Sequence, residues 1–427
     1  MLPPPNLLWI VTTQWRGRAW GGGGDRNART PHLDALAQAG VNYRQAVTPH
    51  PFGPFARAAL LTGLPSPQNG VRDYFDPLPA NARTIAHALR ARGYATAFFG
   101  KWHLAARARD GPLVGEAHAK MVVPADARGG FEFWEGFEGG FLTNDPWLHG
   151  SRIALPMRFE GYQSDVVCGR AAAWAAAAGD RKPGDAHPKT QPGNDRPWFC
   201  VVSLEPPHPP YAAPAAGVVA REPRTLELEP NVPRGGGVEA RARQELAGYY
   251  AHIEATDRAI GRLIAALDQE ETRRGRPVPI VVFTSVHGDM HGAHGLFRKG
   301  WPHEESVRVP LVIRAPMVGD RGRTDDRAAS LVDLAEMTLA WADGRTPDTA
   351  RPHSLISMPG VVALPHQCDR LWRGVRTKSR KLVLNPDGSP WLFFDLERDA
   401  WERENLAGDP ARADEIDALR GQAGLGA

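Results

Sequence analysis

Continuous apolar runs alternate along the chain with stretches whose apolar residues recur at helical spacing. LLWIVTT, residues 7 to 13, is apolar and β-branched throughout, the pattern of a strand covered on both faces. TPHLDALAQAG follows, with Thr30 placed as an N-cap, Pro31 at the first helical position and Gly40 as the stop. The same grammar recurs in TIAHALRARGYATAFFG, a helix ending near Gly93 and then a strand from Tyr94 to Phe99. Further buried strands are expected at WFCVVSL, PIVVFTS and VPLVIRA, and the longest helix at RARQELAGYYAHIEATDRAIGRLIAALDQ, residues 241 to 269. Strands alternating with helices predict an α/β three-layer sandwich around a large, mostly parallel sheet.

Two polar stretches dense in Pro and Gly, residues 179–197 and 222–237, read as loops leaving that core. KLVLNPDGSPWLFFDL places two strand-like runs around an Asn-Pro-Asp-Gly turn and predicts a β-hairpin. The expected organisation is a main domain over 1–364 and a small C-terminal α+β subdomain over 365–427. No internal repeat or heptad pattern stands out.

Composition narrows the function classes. The 427 residues carry 51 Lys and Arg against 48 Asp and Glu, a net charge of +3, with no dense basic run. Nucleic acid is therefore not the expected partner. Cys168, Cys200 and Cys368 lie far apart, without the spacing of a disulfide framework or a structural zinc site. The first apolar run is too short to span a membrane, and it lacks a basic leader and a small-residue cleavage site. A cytoplasmic location and no membrane association are the expectations.

Two segments draw attention as sites. TPHPFGPFARAALLTG, residues 48 to 63, is a tight turn running into a helix start, a frame suited to presenting N–H groups to an anion. Its turn, Phe52 to Ala56, holds no nucleophile. In HGDMHGAHG, His287, His291 and His294 are spaced as a metal-binding set would be on a helix, near Asp289. Gly288, Gly292 and Gly295 argue against a helix there, and solvated loop histidines are the expected arrangement.

Taken together, PNLLWIVTT, TPHLDALAQAGVNYRQAVT, RAALLTG, GYATAFFGKWHL, EPPHPPY, FTSVHGD, HGLFRKG, EESVRVPLVIRAP and FFDLERDAWERENLA fall in one family's order. The chain resembles a sulfatase of the alkaline phosphatase superfamily, and the resemblance covers nearly its whole length. It implies a formylglycine nucleophile made from the cysteine of a C-x-P-x-R segment, and a divalent cation held by three Asp and an Asn or His. Matched by register, Gly53 stands at the cysteine and Phe55 at the motif proline. Thr12 and Thr13 stand at the paired aspartates, and Val286 at the later one. Only His287 of the metal set remains, so no divalent cation and no other cofactor is expected there.

What the resemblance leaves is a cationic ring. Arg57, Lys101, His103, His208 and Lys299 match positions that hold sulfate oxygens or the leaving group, and they predict a pocket for a sulfate, phosphate or carboxylate. The leading reading is a sulfatase-fold protein without formylglycine hydrolysis that binds a small anionic ligand. A repurposed, metal-independent enzyme is the alternative, with His103, His208, His287, Thr12 and Thr13 as candidate catalytic groups. The third reading is a structural partner, half of a heterodimer with an active sulfatase; as an assembly, a homo-oligomer or such a heterodimer is expected. Trp15, Trp20, Phe52 and Phe55 suggest an apolar or aromatic ligand portion. His303, where the family more often has Tyr, adds to the case for a metal at the histidine cluster.

Overall fold

The computed structural model describes residues 4–177, 196–315, 321–348, 351–362 and 364–425. Of the loop expected over 179–197, Arg196 and Pro197 are described and the rest lies outside the described residues.

The strands are β1 (Leu7–Thr12), β2 (Val41–Tyr43), β3 (Ala46–Val47), β4 (Ala95–Lys101), β5 (Phe133–Phe137), β6 (Trp147–Gly150), β7 (Met157–Arg158) and β8 (Trp198–Ser203). They continue with β9 (Ile280–Ser285), β10 (Leu311–Arg314), β11 (Arg323–Asp325), β12 (Ala329–Ser330), β13 (His353–Met358), β14 (Trp372–Thr377), β15 (Arg380–Leu384) and β16 (Pro390–Asp395). Ten of them form one sheet in the order β11-β2-β10-β9-β1-β8-β4-β5-β6-β7. Its centre, β9-β1-β8-β4-β5, is parallel throughout, and antiparallel strands β10 and β6 flank it.

Both faces of β1 are covered. Leu7, Trp9 and Val11 enter one apolar cluster and Leu8 and Ile10 the other. The first cluster is closed by α2 (Gly53–Thr62), α3 (Ile85–Arg90) and α8 (Asp333–Ala342), the second by α1 (Pro31–Gln38), α5 (Gln163–Ala176) and α6 (Gly237–Arg273). This is the expected three-layer sandwich, and its unbroken apolar strands follow from burial on both faces. Helix α6 outruns its sequence reading at both ends.

Three local expectations are refined. Thr30 occupies the N-cap of α1 without capping it; its Oγ1 accepts from the Gly21 amide at 2.9 Å instead. Gly40 lies beyond the Ala39 C-cap, and a Cβ there would stand 2.2 Å from the Ile313 carbonyl oxygen, so it serves strand packing. Strand β4 runs on past Phe99 to Lys101, which Gly100 permits: its φ is +96° and a Cβ would lie 2.0 Å from the Ser203 carbonyl oxygen.

The C-terminal strands form a separate antiparallel sheet, β13-β14-β15-β16, whose last pair is the expected hairpin. It begins at His353, ahead of residue 365, so the sheet itself takes in β13. Helix α9 (Ala413–Gln422) covers it through Ile416 and Leu419. Polar links tie this sheet to the main domain. The Trp372 indole donates to the Gly300 carbonyl at 2.8 Å. Lys381 Nζ, fully buried, lies 2.7 Å from Glu304 and 2.6 Å from Glu402 and donates to the Pro302 carbonyl at 3.0 Å. Short helices α4 (Gly115–Ala119) and α7 (Glu304–Val307) complete the fold.

Cys168, Cys200 and Cys368 are buried free thiols, and burial pushes all three pKa values up, Cys368 to about 11. No helix among the described residues is long and apolar enough to cross a membrane.

Removing the Lys381 ammonium would leave the buried Glu402 without its counter-charge, whereas Glu304 keeps Arg376 at 3.0 Å. Lys381→Met is expected to lower stability by up to about 3–5 kcal/mol, read from the midpoint of denaturant unfolding against the unaltered chain.

Candidate functional site

The carboxyl ends of β1, β4, β8 and β9 meet the N-terminus of α2, the place where α/β sheets gather ligands. A small cavity of about 20 Å³ opens there, lined by Thr13, Phe52, Gly53, Tyr74, Lys101, His103, Phe141, His208, His287, Lys299 and Leu364. The fold thus brings Lys101, His103, His208 and Lys299 to one wall system, and Arg57 borders it from α2.

Helix α2 starts as the sequence implies. Phe52 occupies the N-cap in an extended conformation, Pro54 enters the first turn, and no side chain caps the end. Gly53 faces the His103 ring. A Cβ at this position would stand 2.8 Å from His103 Nδ1 and 3.5 Å from Arg57 Nη1, so the imidazole fills the space a nucleophilic side chain would need. His103 reaches this place with φ +59°, a conformation uncommon for a residue with a Cβ.

Arg57 is 3 % exposed, and its Nη2 donates to Thr13 Oγ1 at 2.9 Å. Its Nε and Nη1 have no partner. Burial lowers its pKa to about 10, which leaves it charged at neutral pH. Lys299 Nζ donates to Gln14 Oε1 at 2.8 Å and approaches His208 Nε2 at 3.3 Å; burial brings it down to about 7. Lys101 differs. Its Nζ lies 2.5 Å from Glu205 Oε1, with both side chains withdrawn from water, so this cation is paired internally. The pocket is accordingly less cationic than the count of basic residues suggests, with Arg57 and Lys299 as the charges no carboxylate contacts.

The imidazoles are neutral. Burial, followed by neighbouring cations, holds His103, His208 and His287 well below the usual range. His208 Nδ1 is 2.9 Å from the Pro209 carbonyl oxygen and its ring stacks on Phe141 at 4.4 Å. His287 Nδ1 is 2.9 Å from the Gly288 carbonyl oxygen, and its Nε2 is buried without a partner. His103 Nε2 lies 3.5 Å from the Tyr74 hydroxyl, and its Nδ1 has no partner. His103 and His287, each with an unsatisfied ring nitrogen, therefore line one small space, and the unpartnered Arg57 Nη1 lies beside it, 3.5 Å from where a Gly53 Cβ would stand. Buried groups of this kind are costly unless a ligand or water meets them.

The metal set separates. Thr12 Oγ1 turns to the Thr284 carbonyl at 3.2 Å and Val286 joins the apolar cluster under α2, so neither lines the cavity. Thr13 Oγ1 receives Arg57 and donates to the Leu204 carbonyl at 3.1 Å. The next residue, Gln14, offers Oε1 to Lys299 while its Nε2 donates to Asp289 Oδ2 at 2.5 Å. Asp289 is also held by the Tyr211 hydroxyl at 2.6 Å and the backbone amides of His291 and Arg298. Burial pushes this carboxyl up, but His291 and Arg298 outweigh it and hold it at about 2. Around the cavity the side-chain oxygens are the Thr13 and Tyr74 hydroxyls and the Gln14 amide, while the adjoining carboxylates are already engaged, Glu205 by Lys101 and Asp289 by Gln14, Tyr211 and Arg298. That donor set does not suit Ca²⁺ or Mg²⁺, which take several oxygens with carboxylates among them.

Gln14, Glu205, Tyr74 and Phe141 are site residues that the sequence reading missed. Glu205 opens the same EPPHPPY segment that carries His208, and Gln14 directly follows Thr13. Tyr74 and Phe141 carried no local signal. Phe52 does line the cavity, whereas Trp15, Trp20 and Phe55 are core residues. The histidines of HGDMHGAHG also part. His287 faces the pocket, His291 packs between Tyr211 and Tyr249, and His294 lies against His303.

A sulfatase family model matches residues 5–344. An ulvan-active sulfatase of Formosa agariphila is 32 % identical over 430 residues, covering 95 % of this chain and 78 % of that protein. An arylsulfatase of Clostridium perfringens is 27 % identical, covering 97 % and 93 %. Among solved structures, yidJ of Bacteroides fragilis superposes with a TM-score of 0.81 at 24 % identity over 99 % of this chain and 95 % of that one. The phosphonate monoester hydrolase of Agrobacterium radiobacter gives 0.70 at 21 %, over 99 % and 95 %.

Because His103 occupies the space beside Gly53, Gly53→Ala is expected to cost about 1–3 kcal/mol, seen as an earlier thermal transition. Gly53→Cys should carry the same penalty, and treating the purified variant with an aryl sulfate should give no hydrolysis.

Proposed function

This chain belongs to the sulfatase family, and from that premise we propose that it binds an anionic group, a sulfate, phosphate or carboxylate, without formylglycine- and metal-dependent ester hydrolysis. The observation that carries the reading is the ring of unpartnered donors and acceptors, Arg57 Nε and Nη1, His103 Nδ1 and His287 Nε2, beside a glycine at the nucleophile position. A tetrahedral or planar oxyanion would accept from Arg57 and Lys299, and neutral His103 can turn an Nδ1–H to it, whereas His287, whose Nδ1–H is given to the Gly288 carbonyl, presents a lone pair at Nε2. The relatives described as sulfatases support the class of ligand. The chemistry departs from theirs where Gly53 offers nothing to oxidise and Val286 nothing to coordinate.

Lys299 and Gln14 explain how the space is held without a dication. The Lys299 ammonium lies on the Gln14 oxygen, and the Arg57 guanidinium lies on the Thr13 hydroxyl. Side-chain cations thus take up the oxygens at the end of β1. They leave the remaining N–H groups for a ligand. Phe52, Tyr74, Phe141 and Leu364 form the apolar part of the lining, suited to an apolar or aromatic group attached to that anion.

A metal-independent reaction is the second reading, favoured by the neutral state of His287 and His103. An imidazole with an unshared ring nitrogen facing a bound ester is a general base in position.

Calorimetric titration of the purified chain with sulfate and phosphate tests binding directly. Arg57→Met is expected to weaken it by about 10-fold or more, the loss of a charged hydrogen-bonding partner. No measurable affinity for either anion, or for an aryl ester of them, would overturn the reading. Rapid hydrolysis that requires added Ca²⁺ or Mg²⁺ would overturn it too.

The pH dependence has a definite sign. Lys299, lowered by burial to about 7, is charged below that value and neutral above it. Glu138, raised by burial to about 7 against the pull of Arg107, gains its negative charge over the same range, and it lies behind His103 through the Leu104 and Ala105 amides. Both changes oppose an anion as pH rises. Sulfate keeps a constant charge here, so its affinity should fall by about 10-fold between roughly pH 6 and pH 8. Lys299→Met should flatten that slope, and an unchanged slope would remove Lys299 from the binding site.

A further inference from the structure

The histidines of residues 287–294 do not converge on one another, but one of them joins a different set. His294, Glu305 and Glu402 each bring a ligand atom within 4.8 Å of the others. His294 comes from the turn after β9, Glu305 from α7, and Glu402 from the segment between β16 and α9. The set therefore spans the junction between the main domain and the C-terminal sheet. Glu305 is 5 % exposed and Glu402 is 3 %.

Hydrogen bonding in this cluster does not balance. The Asn231 amide nitrogen has two hydrogens to give. Three acceptors meet it: Glu305 Oε1 at 2.6 Å, the Trp401 carbonyl at 3.0 Å and His294 Nε2 at 3.1 Å. Glu305 Oε2 and Asn231 Oδ1 are buried with no hydrogen-bond partner at all. His303 lies alongside, its ring 4.3 Å from that of His294 and its buried Nδ1 likewise without a partner. On one side Glu402 is compensated by the Glu304 amide, which donates to its Oε2 at 2.7 Å, and by Lys381, which is shared with Glu304 and the Pro302 carbonyl. Lone pairs outnumber protons in a space largely closed to water, an arrangement whose cost a cation removes.

We propose that His294, Glu305 and Glu402 form a divalent-cation site of the Zn²⁺ type that fastens the C-terminal sheet to the main domain. An imidazole with two carboxylates suits Zn²⁺ or a neighbouring first-row ion, whereas Ca²⁺ and Mg²⁺ prefer oxygen alone. Turning the Asn231 amide over would exchange its NH₂ for Oδ1 and add a further oxygen to the set. The half-buried His294 gives an ion its way in. None of the three residues lines the anion pocket, so this site stands or falls apart from the function proposed above. A cation bound only by the folded chain stabilises it in proportion to its affinity and concentration.

Zn²⁺ alone is the probe. The full chain is stripped with a chelator, dialysed, and titrated with Zn²⁺ in competition with a chromogenic chelator, with metal content read by mass spectrometry and stability by thermal melting. One Zn²⁺ per chain and a raised melting temperature are expected. His294→Ala and the near-isosteric Glu305→Gln should each weaken binding by about 10-fold or more, with circular dichroism unchanged. If His294→Ala fails to fold, Glu305→Gln decides alone. His287→Ala, which alters the pocket, should take up Zn²⁺ as the unaltered chain does. No uptake by the unaltered chain, full uptake by Glu305→Gln, loss of uptake in His287→Ala, or a preference for Ca²⁺ would each overturn the assignment.

Discussion

The pocket rests on the cost of keeping cations away from water. Arg57, Lys101 and Lys299 are all buried at the carboxyl edge of one sheet, where each charge loses most of its hydration. The protein meets that cost unevenly. Lys101 receives a full counter-charge from Glu205. Arg57 and Lys299 receive only neutral oxygens, from Thr13 and Gln14, and burial pulls both pKa values down. Two buried cations are thus left only partly compensated beside one small cavity.

The same constraint explains how the end of β1 is filled. Thr13 and Gln14 keep oxygen atoms at the end of β1, and side-chain cations approach them from α2 and from the loop that carries Lys299. Asp289, the nearby buried carboxylate, is held by Gln14, Tyr211, Arg298 and the backbone amides of its own loop. Charge is thereby balanced in two shells, with cations inside and an acid behind them. Gly53 completes the arrangement by letting His103 come forward.

Where the C-terminal sheet meets the main domain, next to the pocket, polar groups again decide how parts meet. The C-terminal sheet has its own apolar cluster with α9 on one face, and its other face joins the main core through Ile356, Met358, Trp372, Val383 and Phe394, with Lys381, Glu304 and Glu402 as a buried polar patch in that seam. A buried polar seam fixes one geometry, because any displacement leaves charges unpaired. It is also where acceptors are in excess, around Asn231.

The sequence by itself determined the layers. Apolar runs such as LLWIVTT and PIVVFTS can be satisfied only between two covering layers, so the central parallel sheet follows from composition and periodicity alone. It also determined that position 53 has no nucleophile, since the absence of a side chain is a property of the residue. The cationic members of the site were legible because they sit inside recognisable segments. The tertiary structure decided which charges remain free. Glu205 neutralises Lys101 across two strands, and Gln14 and Lys299 meet only because the ends of β1 and a distant loop share one edge. Likewise His287, His291 and His294 are close in sequence yet face three different surroundings, while His294, Glu305 and Glu402 are far apart in sequence and adjacent in space. The reason is physical. Periodicity reports which face of an element is covered, whereas pairing between charges depends on distances that exist only after the layers have packed.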